Sequence, residues 1–242
     1  MPLIIAVTLV AHGTIILSAL TRRLAPRWQM RVRNAAFRRW ARQMCRLLGL
    51  RLQVEGPAPD GRFVLVTNHV SYVDIMALGA CVDAAFVAKA DLRGWPILGW
   101  IFQTADTIFV DRTRKRDLLR VIENVDQTLE RDLGVLFFPE GTSGKGDQIL
   151  RFRPSLLELA ASRNYPVHYA TLSYRAPAGE SAQDKICWWG DASFVPHFLK
   201  LLELPYFEAT LTFGARPIRA ENRKALAEQL REAMRDQFEP MI

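Results

Sequence analysis

The chain has 242 residues; half are apolar, 24% are charged, and the formal net charge is +7. This composition excludes a disordered chain, and the length suits one α/β domain with its own core. A polytopic membrane protein is also excluded, because only one apolar stretch approaches bilayer-spanning length. The three cysteines, Cys45, Cys81 and Cys187, have neither metal-site nor disulfide-framework spacing, and they predict buried thiols in a reducing compartment.

The positive charge is concentrated in residues 1–54, which contain ten arginines and no acidic residue, so the remainder carries a formal charge of −3. Residues 3–20 are uncharged and 18 in number, the lower limit for a helix that crosses a bilayer. Arginines follow this run and none precedes it, which is the opposite of a secretory signal peptide. The positive-inside rule therefore predicts that Arg22 and the chain after it are cytoplasmic. Whether the run spans the bilayer or lies shallowly in it stays open.

A helical pattern over residues 28–48 places aromatic and apolar side chains on one broad face and arginines on the other. Such a helix is typical of the lipid headgroup layer. A core-packed helix with a solvated basic face is the alternative, and nucleic-acid binding is disfavoured by the adjoining apolar run. We therefore expect residues 1–54 to form a membrane-associated helical segment and residues 55–242 to form an α/β domain.

Strand and helix patterns alternate after the turn-rich residues 56–61. Strands are predicted at residues 63–67, 84–88, 107–110, 134–139, 167–174 and 208–213. Helices are predicted at residues 71–80, 118–129, 154–162 and 226–234. This alternation predicts an α/β fold in which helices flank a mixed sheet.

His69 directly follows the first of these strands, at the end where open α/β sheets bind ligands. Ser71 and Asp74 have the spacing of a helix start, with Ser71 as N-cap, and this leaves His69 in the preceding loop. From there the imidazole could fold back onto Asp74, which would fix its tautomer and raise the basicity of its other nitrogen. The alternative is that Asp74 only caps the helix and His69 only fills a turn.

Two further segments carry polar groups after predicted strands. Glu140 is followed by a Gly-rich loop that could present backbone N–H groups to an anion, although an ordinary turn is the alternative. The loop is not a Walker loop, because Asp147 stands where that motif requires Lys. It is not a nucleophile elbow either, because Lys145 stands where that motif requires its final Gly. Arg112 could bind phosphate or carboxylate, or be salt-bridged. The histidines and cysteines lack metal-ligand spacing, and no metal site is expected.

Three stretches, in this order, resemble the motifs of the glycerolipid acyltransferase family of the lysophosphatidate (1-acyl-sn-glycerol-3-phosphate) acyltransferase type. They are Asn68-His69-x-Ser71-x-x-Asp74, Ile108-Phe109-Val110-Asp111-Arg112 and Phe138-Pro139-Glu140-Gly141-Thr142. Lys89, in Phe86-Val87-Ala88-Lys89, also fits the family, and the resemblance runs from about Val66 to Phe152.

The resemblance implies acyl transfer from an acyl-carrier-protein (acyl-ACP) or coenzyme A (acyl-CoA) thioester to the hydroxyl of a lysolipid, without a bound cofactor. His69 would take the hydroxyl proton and Asp74 would orient His69. The implied acceptor-binding residues are Arg112, Glu140, Gly141, Thr142 and Lys145, supported by Asn68, Ser71 and Lys89. An N-terminal pair of membrane-docking helices and a place on the cytoplasmic face of the bacterial inner membrane are also implied, with membrane lipid and no nucleic acid as partners.

The sequence departs from the family pattern in two places. Ser143 stands where the third motif usually continues with Arg, and the segment after Pro166 lacks a second proline. Lys145, Arg151 and Arg153 could supply the missing charge for lysophosphatidate, the first candidate acceptor; lyso-ornithine lipid is the alternative. A non-catalytic membrane scaffold and a lipid hydrolase are the rival functions. Acyl-chain length and the choice between acyl-ACP and acyl-CoA stay open.

Overall fold

The computed structural model describes residues 1–95, 98–111 and 115–241. Its strands are β1 (Leu50–Glu55), β2 (Val64–Thr67), β3 (Ala84–Lys89), β4 (Ile108–Val110), β5 (Gly134–Phe137), β6 (Val167–Arg175) and β7 (Phe207–Phe213). Its helices are α1 (Pro2–Ala19), α2 (Pro26–Leu47), α3 (Val73–Gly79), α4 (Leu98–Thr104), α5 (Lys115–Glu130), α6 (Glu158–Ser162), α7 (Ala182–Lys185), α8 (Phe194–Leu201) and α9 (Arg223–Gln237).

The strands form one sheet in the order β1-β7-β6-β2-β5-β3-β4. Neighbours are parallel except β6 and β7, which pair antiparallel, so the sheet is mixed. The predicted α/β class is confirmed. The central strands β2 and β5 are buried along their whole length, as their continuous apolar sequences require.

Helices cover both faces of the sheet, and successive residues of β2 point into different cores. Leu65 packs in a cluster with side chains of α2, α3 and α8. Val64 and Val66 pack in a second cluster with α5, α6 and α9. This alternation follows from the two-residue period of a strand, and it explains why β2 has no polar face.

Several elements escaped prediction from the sequence. β1 pairs in parallel with β7, although only Leu50 of this edge strand is fully buried. Because β7 lies more than 150 residues after β1, as Leu50 pairs with Phe207, no local sequence pattern predicts this pairing. The boundary expected between residues 54 and 55 falls inside this strand, before its last residue Glu55, and the division into two units stays a prediction. α4, α7 and α8 are too short for helical periodicity to be recognised.

The C-terminal half of α2 is packed into the core. Trp40 and Met44 are buried in the cluster beside α3. Arg38 and Arg42 lie on another side of the helix, where they bind the Asp83 carboxylate and the Ala80 carbonyl. The core-packed interpretation is therefore correct for this half, and its apolar face does not lie in the headgroup layer. The apolar face of α2 is buried because it covers apolar side chains on one face of the sheet, such as Leu65.

Of the described helices, α1 alone is long and apolar enough to cross a membrane, with 18 residues and a mean hydropathy of 2.0. Only 17% of it is buried in the protein, so it is not a core helix. Leu9, Val10 and Leu17 are each more than half exposed. This exposed apolar surface could anchor the protein to a membrane.

Leu65→Ala tests the central position of β2. Leu65 is fully buried, and the substitution is expected to lower the free energy of unfolding by ~2–5 kcal/mol through lost burial and a residual cavity. Leu119→Ala is the matched control: Leu119 is 66% exposed on α5, so its effect should stay within ~0.5 kcal/mol. Urea unfolding followed by circular dichroism measures both; equal effects would contradict the assigned core.

Candidate active site

The polar residues of the first and third motifs meet at one edge of the sheet. Asn68 and His69 follow β2, and Glu140 follows β5 after a short connection. β2 and β5 are parallel neighbours, with Val66 opposite Phe137, so both segments leave the sheet at its carboxyl edge. This is the edge where open α/β sheets place their ligands.

His69 and Asp74 are hydrogen-bonded. His69 Nδ1 lies 2.7 Å from Asp74 Oδ2. The same oxygen accepts the backbone N–H groups of Val70 at 2.8 Å and Ser71 at 3.1 Å, and the other accepts the Tyr174 hydroxyl at 2.8 Å. The two backbone N–H groups and the Tyr174 hydroxyl are three donors to it, so the buried group acts as a carboxylate acceptor. Nδ1 therefore carries the proton, and the lone pair of the imidazole is on Nε2.

Tyr174 was not recognised in the sequence as part of this site. It lies on β6, a hundred residues from Asp74, and its side chain is buried. Burial and the neighbouring Asp74 carboxylate raise the pKa of the Tyr174 hydroxyl well above its usual value. It is therefore a neutral donor, which fixes the Asp74 carboxylate from the side opposite His69.

The helix after His69 begins two residues later than predicted. α3 starts at Val73 with Tyr72 at the N-cap, and no side chain caps it. Ser71 Oγ instead accepts the Val73 N–H at 3.3 Å. The prediction of Ser71 as N-cap was wrong because the Asp74 carboxylate turns back to the amides of Val70 and Ser71 and holds them in a turn. The predicted place of His69, in the loop before α3, is confirmed.

Loop residues 138–150 hold the backbone and ring of His69. The imidazole stacks on Phe138, with ring centroids 4.0 Å apart and an interplanar angle of 19°. Glu140 accepts the His69 N–H at 3.0 Å and the Leu150 N–H at 2.9 Å, while the Gly144 N–H binds the His69 carbonyl at 2.8 Å. The side chain of His69 keeps 21% of its surface exposed, so the ring is braced but accessible.

Burial raises the pKa of Glu140 to about 7, against the lowering effect of its two amide hydrogen bonds. The side chain is almost completely buried. Both of its oxygens are occupied by backbone groups, so Glu140 joins the His69 segment to the chain near Leu150.

Asn68 ties the end of β2 to β6. Its Nδ2 donates to the Leu172 carbonyl at 2.9 Å, and its Oδ1 accepts the Leu172 N–H at 2.8 Å. The side chain thus replaces a backbone partner at the point where β2 leaves the sheet. Asn68 therefore fixes where the chain turns toward His69.

The other residues predicted for the site that the structure describes have no contact with the His69–Asp74 pair among the hydrogen bonds and ion pairs described above. Gly141 has a φ of +75°, which lets the loop turn directly after Glu140. Thr142 and Lys145 are exposed, and Lys145 Nζ lies 3.0 Å from Asp147 Oδ2. Lys89 Nζ lies 2.5 Å from Asp91 Oδ2, at the end of β3. Arg112 lies outside the described residues. In the described part of the chain, no cluster of three or more His, Cys, Asp or Glu could hold a metal.

A family profile described as Acyltransferase matches residues 16–173, which is more than half of the chain and contains His69, Asp74 and Glu140. The chain belongs to the acyltransferase family.

Two curated relatives differ in the acceptor that their names give. The chain is 34% identical over 189 residues to a lyso-ornithine lipid O-acyltransferase of Rhizobium meliloti, covering 73% of this chain and 65% of the relative. It is 33% identical over 150 residues to a 1-acyl-sn-glycerol-3-phosphate acyltransferase of Neisseria meningitidis, covering 61% of this chain and 59% of the relative. The chain therefore spans less than two thirds of the length of these relatives.

A solved structure shares the fold of this acyltransferase-family chain. The crystal structure of the 1-acyl-sn-glycerophosphate (LPA) acyltransferase from Thermotoga maritima matches with a TM-score of 0.61 at 20% identity, and the match covers 93% of each chain. The similarity in fold therefore extends beyond the residues that the profile matches.

An apolar cavity of about 800 Å³ adjoins the helix that follows His69. Tyr72 and Met76 of α3, Phe86 of β3, Phe198 of α8 and Leu9 of α1 contribute to its wall. The lining is almost entirely apolar, so the cavity suits a hydrocarbon chain. No sequence motif predicted it, because its wall is assembled from elements distant in the chain.

Glu140→Gln tests the buried carboxyl through the pH dependence of stability. The folded protein keeps the Glu140 proton up to about pH 7, whereas the unfolded chain releases it nearer pH 4.5. The folded state binds more protons in this window, so stability is lost as the pH rises through it. From about pH 5 to about pH 8 the parent should lose up to ~3 kcal/mol more than Glu140→Gln in urea unfolding. Parallel pH profiles would contradict this assignment.

Proposed function

We propose that the protein is an O-acyltransferase that moves a fatty acyl group from a thioester to the free hydroxyl of a lysolipid. The observation that carries the proposal is the His69–Asp74 pair: Nδ1 donates to Asp74, so Nε2 can act as a base. The helix that follows His69 contributes to the wall of an apolar cavity. Membership of the acyltransferase family supports the same chemistry.

In the proposed reaction His69 Nε2 takes the proton of the acceptor hydroxyl while the oxygen attacks the thioester carbonyl. The tetrahedral intermediate then expels the thiolate, which takes the proton back from the imidazolium and leaves as the thiol. One C–O bond forms and one C–S bond breaks, with no acyl-enzyme. Asp74 stabilises the imidazolium, because its carboxylate already accepts the Nδ1 proton.

The loop after β5 is proposed to receive the acceptor headgroup. Thr142 and Lys145 are exposed there, whereas Glu140 is bound to the amides of His69 and Leu150. We therefore assign Glu140 to positioning and Thr142 and Lys145 to contact with the headgroup, beside the backbone at Gly141. Arg112 keeps its proposed role in headgroup binding, and it lies outside the described residues. The apolar cavity is proposed to hold an acyl chain.

Two acceptors fit the proposal. Lysophosphatidate, which would give phosphatidic acid, is the acceptor named for the Neisseria relative. Lyso-ornithine lipid, named for the Rhizobium relative, is favoured by two features of the loop: Ser143 replaces a family arginine, and Lys145 is paired with Asp147. Both features reduce the positive charge available to a phosphate.

The proposed donor is acyl-ACP or acyl-CoA, and the proposed location is the cytoplasmic face of the bacterial inner membrane. α1 could supply the anchor, because its apolar side chains are largely exposed. The arginines that follow α1 favour the cytoplasmic side.

His69→Ala and Asp74→Asn test the mechanism. Each is expected to lower kcat by ~10²–10⁴-fold, since the general base or its orienting partner is lost. His168→Ala, a substitution of a partly buried histidine on β6, is the control and should stay within about threefold of the parent, as typical of a group outside the chemistry. Thiol release from an acyl thioester with a lysolipid acceptor is the measurement. Full activity of His69→Ala would disprove the mechanism, and free fatty acid as sole product would favour a hydrolase.

Ser143→Arg tests the choice of acceptor. With lysophosphatidate and lyso-ornithine lipid assayed in parallel by mass spectrometry, the substitution should shift the ratio of kcat/KM values toward lysophosphatidate by about tenfold, because an arginine adds a charge-assisted contact. Ser155→Arg, at an exposed position outside the loop, adds the same charge and should leave the ratio unchanged. Equal shifts in both variants would mean that overall charge, not the loop, selects the acceptor.

A further inference from the structure

Two of the large apolar side chains exposed after α2 lie on α8. In the chain after α2, the large apolar side chains exposed among the described residues are Val54, Trp100, Leu119, Trp189, Val195 and Leu199. Val195 and Leu199 are 63% and 53% exposed and lie one helical turn apart on α8. The other side of α8 is buried through His197 and Leu201. α8 therefore presents an apolar strip that the protein itself does not cover.

This strip is continuous with α1. Val195 and Leu199 line the same apolar cavity as Ile5 and Leu9 of α1. Ile5 and Leu9 are themselves 54% and 58% exposed. Trp100, 37% exposed on α4, belongs to the same lining. The cavity is thus a groove whose two rims, α1 and α8, both carry exposed apolar side chains.

α1 is fixed against the rest of the protein instead of extending away from it. Trp40 Nε1 donates to Thr8 Oγ1 at 3.1 Å, and His12 Nδ1 lies 2.5 Å from Thr104 Oγ1 of α4. The His12 side chain is fully buried between the rings of Trp40 and Trp100. These contacts, spread over the first three turns, hold α1 beside the groove that it shares with α8.

We propose that α8, together with Trp100, is a second lipid-contact element, and that it forms one membrane-bound face with α1. The occupant is the surface of a phospholipid bilayer. An apolar strip on a helix, with the Trp100 indole in the same lining and the exposed Lys200 next to Leu199, has the chemistry that suits the boundary between acyl chains and headgroups. The continuity with α1, the helix able to anchor the protein, favours lipid over a second copy of the chain.

The same element is tied to the segment that carries His69. The Cys187 carbonyl accepts from His197 Nε2 at 2.9 Å, so His197 Nδ1 accepts the Tyr72 hydroxyl at 3.1 Å. The Trp188 N–H also donates to the Val70 carbonyl at 2.7 Å. Contact of α8 with a bilayer would therefore set the depth of His69 relative to the lipid surface. This consequence for the reaction rests on the proposed acyl transfer; the lipid contact itself does not.

A fluorophore sensitive to polarity tests the contact directly and needs no substrate. Single cysteines replace Leu199 on α8, Leu9 on α1 and Leu119 on α5 in a Cys81→Ser background, because Cys45 and Cys187 are buried. With vesicles of phosphatidylcholine and phosphatidylglycerol, emission from Leu199→Cys and Leu9→Cys should shift to the blue, and emission from Leu119→Cys should not. If Leu199→Cys behaves like Leu119→Cys, the proposal is overturned. A shift at Leu199→Cys that needs only higher protein concentration, without vesicles, would also overturn it and assign the strip to a second copy.

Charge substitutions give an independent measurement. Val195→Asp and Leu199→Asp should each weaken binding to phosphatidylcholine vesicles by about tenfold, because a carboxylate is excluded from the acyl region. Val54→Asp and Leu119→Asp place the same charge at exposed apolar positions elsewhere and should bind like the parent. Sedimentation of the protein with the vesicles measures all four, and unchanged binding of both α8 variants would overturn the proposal. Neither readout depends on catalysis, so a failure here is distinguishable from a failure of the proposed acyl transfer.

Discussion

The buried Asp74 carboxylate accepts four hydrogen bonds, and the geometry of the candidate active site depends on this arrangement. Two bonds come from the backbone of Val70 and Ser71, one from the Tyr174 hydroxyl and one from His69. A buried carboxylate is costly unless its oxygens are satisfied, so the turn before α3 and the position of β6 are both constrained by it. The imidazole of His69 donates through Nδ1 to Asp74, and in the proposed reaction Nε2 binds the substrate hydroxyl.

The second constraint acts on the backbone of His69. Glu140 and Gly144, from the loop after β5, bind the N–H and the carbonyl of this residue, and Phe138 supports its ring. The parallel pairing of β2 and β5 brings this loop to His69. Glu140, which the family resemblance assigns to headgroup binding, is therefore bound to the backbone of His69 and holds this residue in position. In the proposed function, the headgroup contacts the exposed part of the loop.

The apolar surfaces fit the same arrangement. The cavity beside α3 opens between α1 and α8, and both helices expose apolar side chains along it. A lysolipid and an acyl chain are too apolar to leave a bilayer readily, so an active site that serves them gains from an entrance at the lipid surface. The contacts of α1 with Trp40 and Thr104 hold α1 beside this cavity. These surfaces support the proposal that the candidate active site works at a lipid surface.

The sequence by itself determined the family resemblance, the α/β class and the loop position of His69, because each depends on local order: motif spacing, alternating periodicities and the end of an apolar strand. Only the tertiary structure decided which groups surround Asp74, since Tyr174 is a hundred residues away and reaches it only after β6 pairs with β2. The pairing of β1 with β7 likewise joins segments that are distant in the chain. The position of the exposed α8 strip beside α1 also appears only in the folded protein. Local patterns record what a segment prefers; which side chains meet across the sheet depends on pairings that no single segment contains.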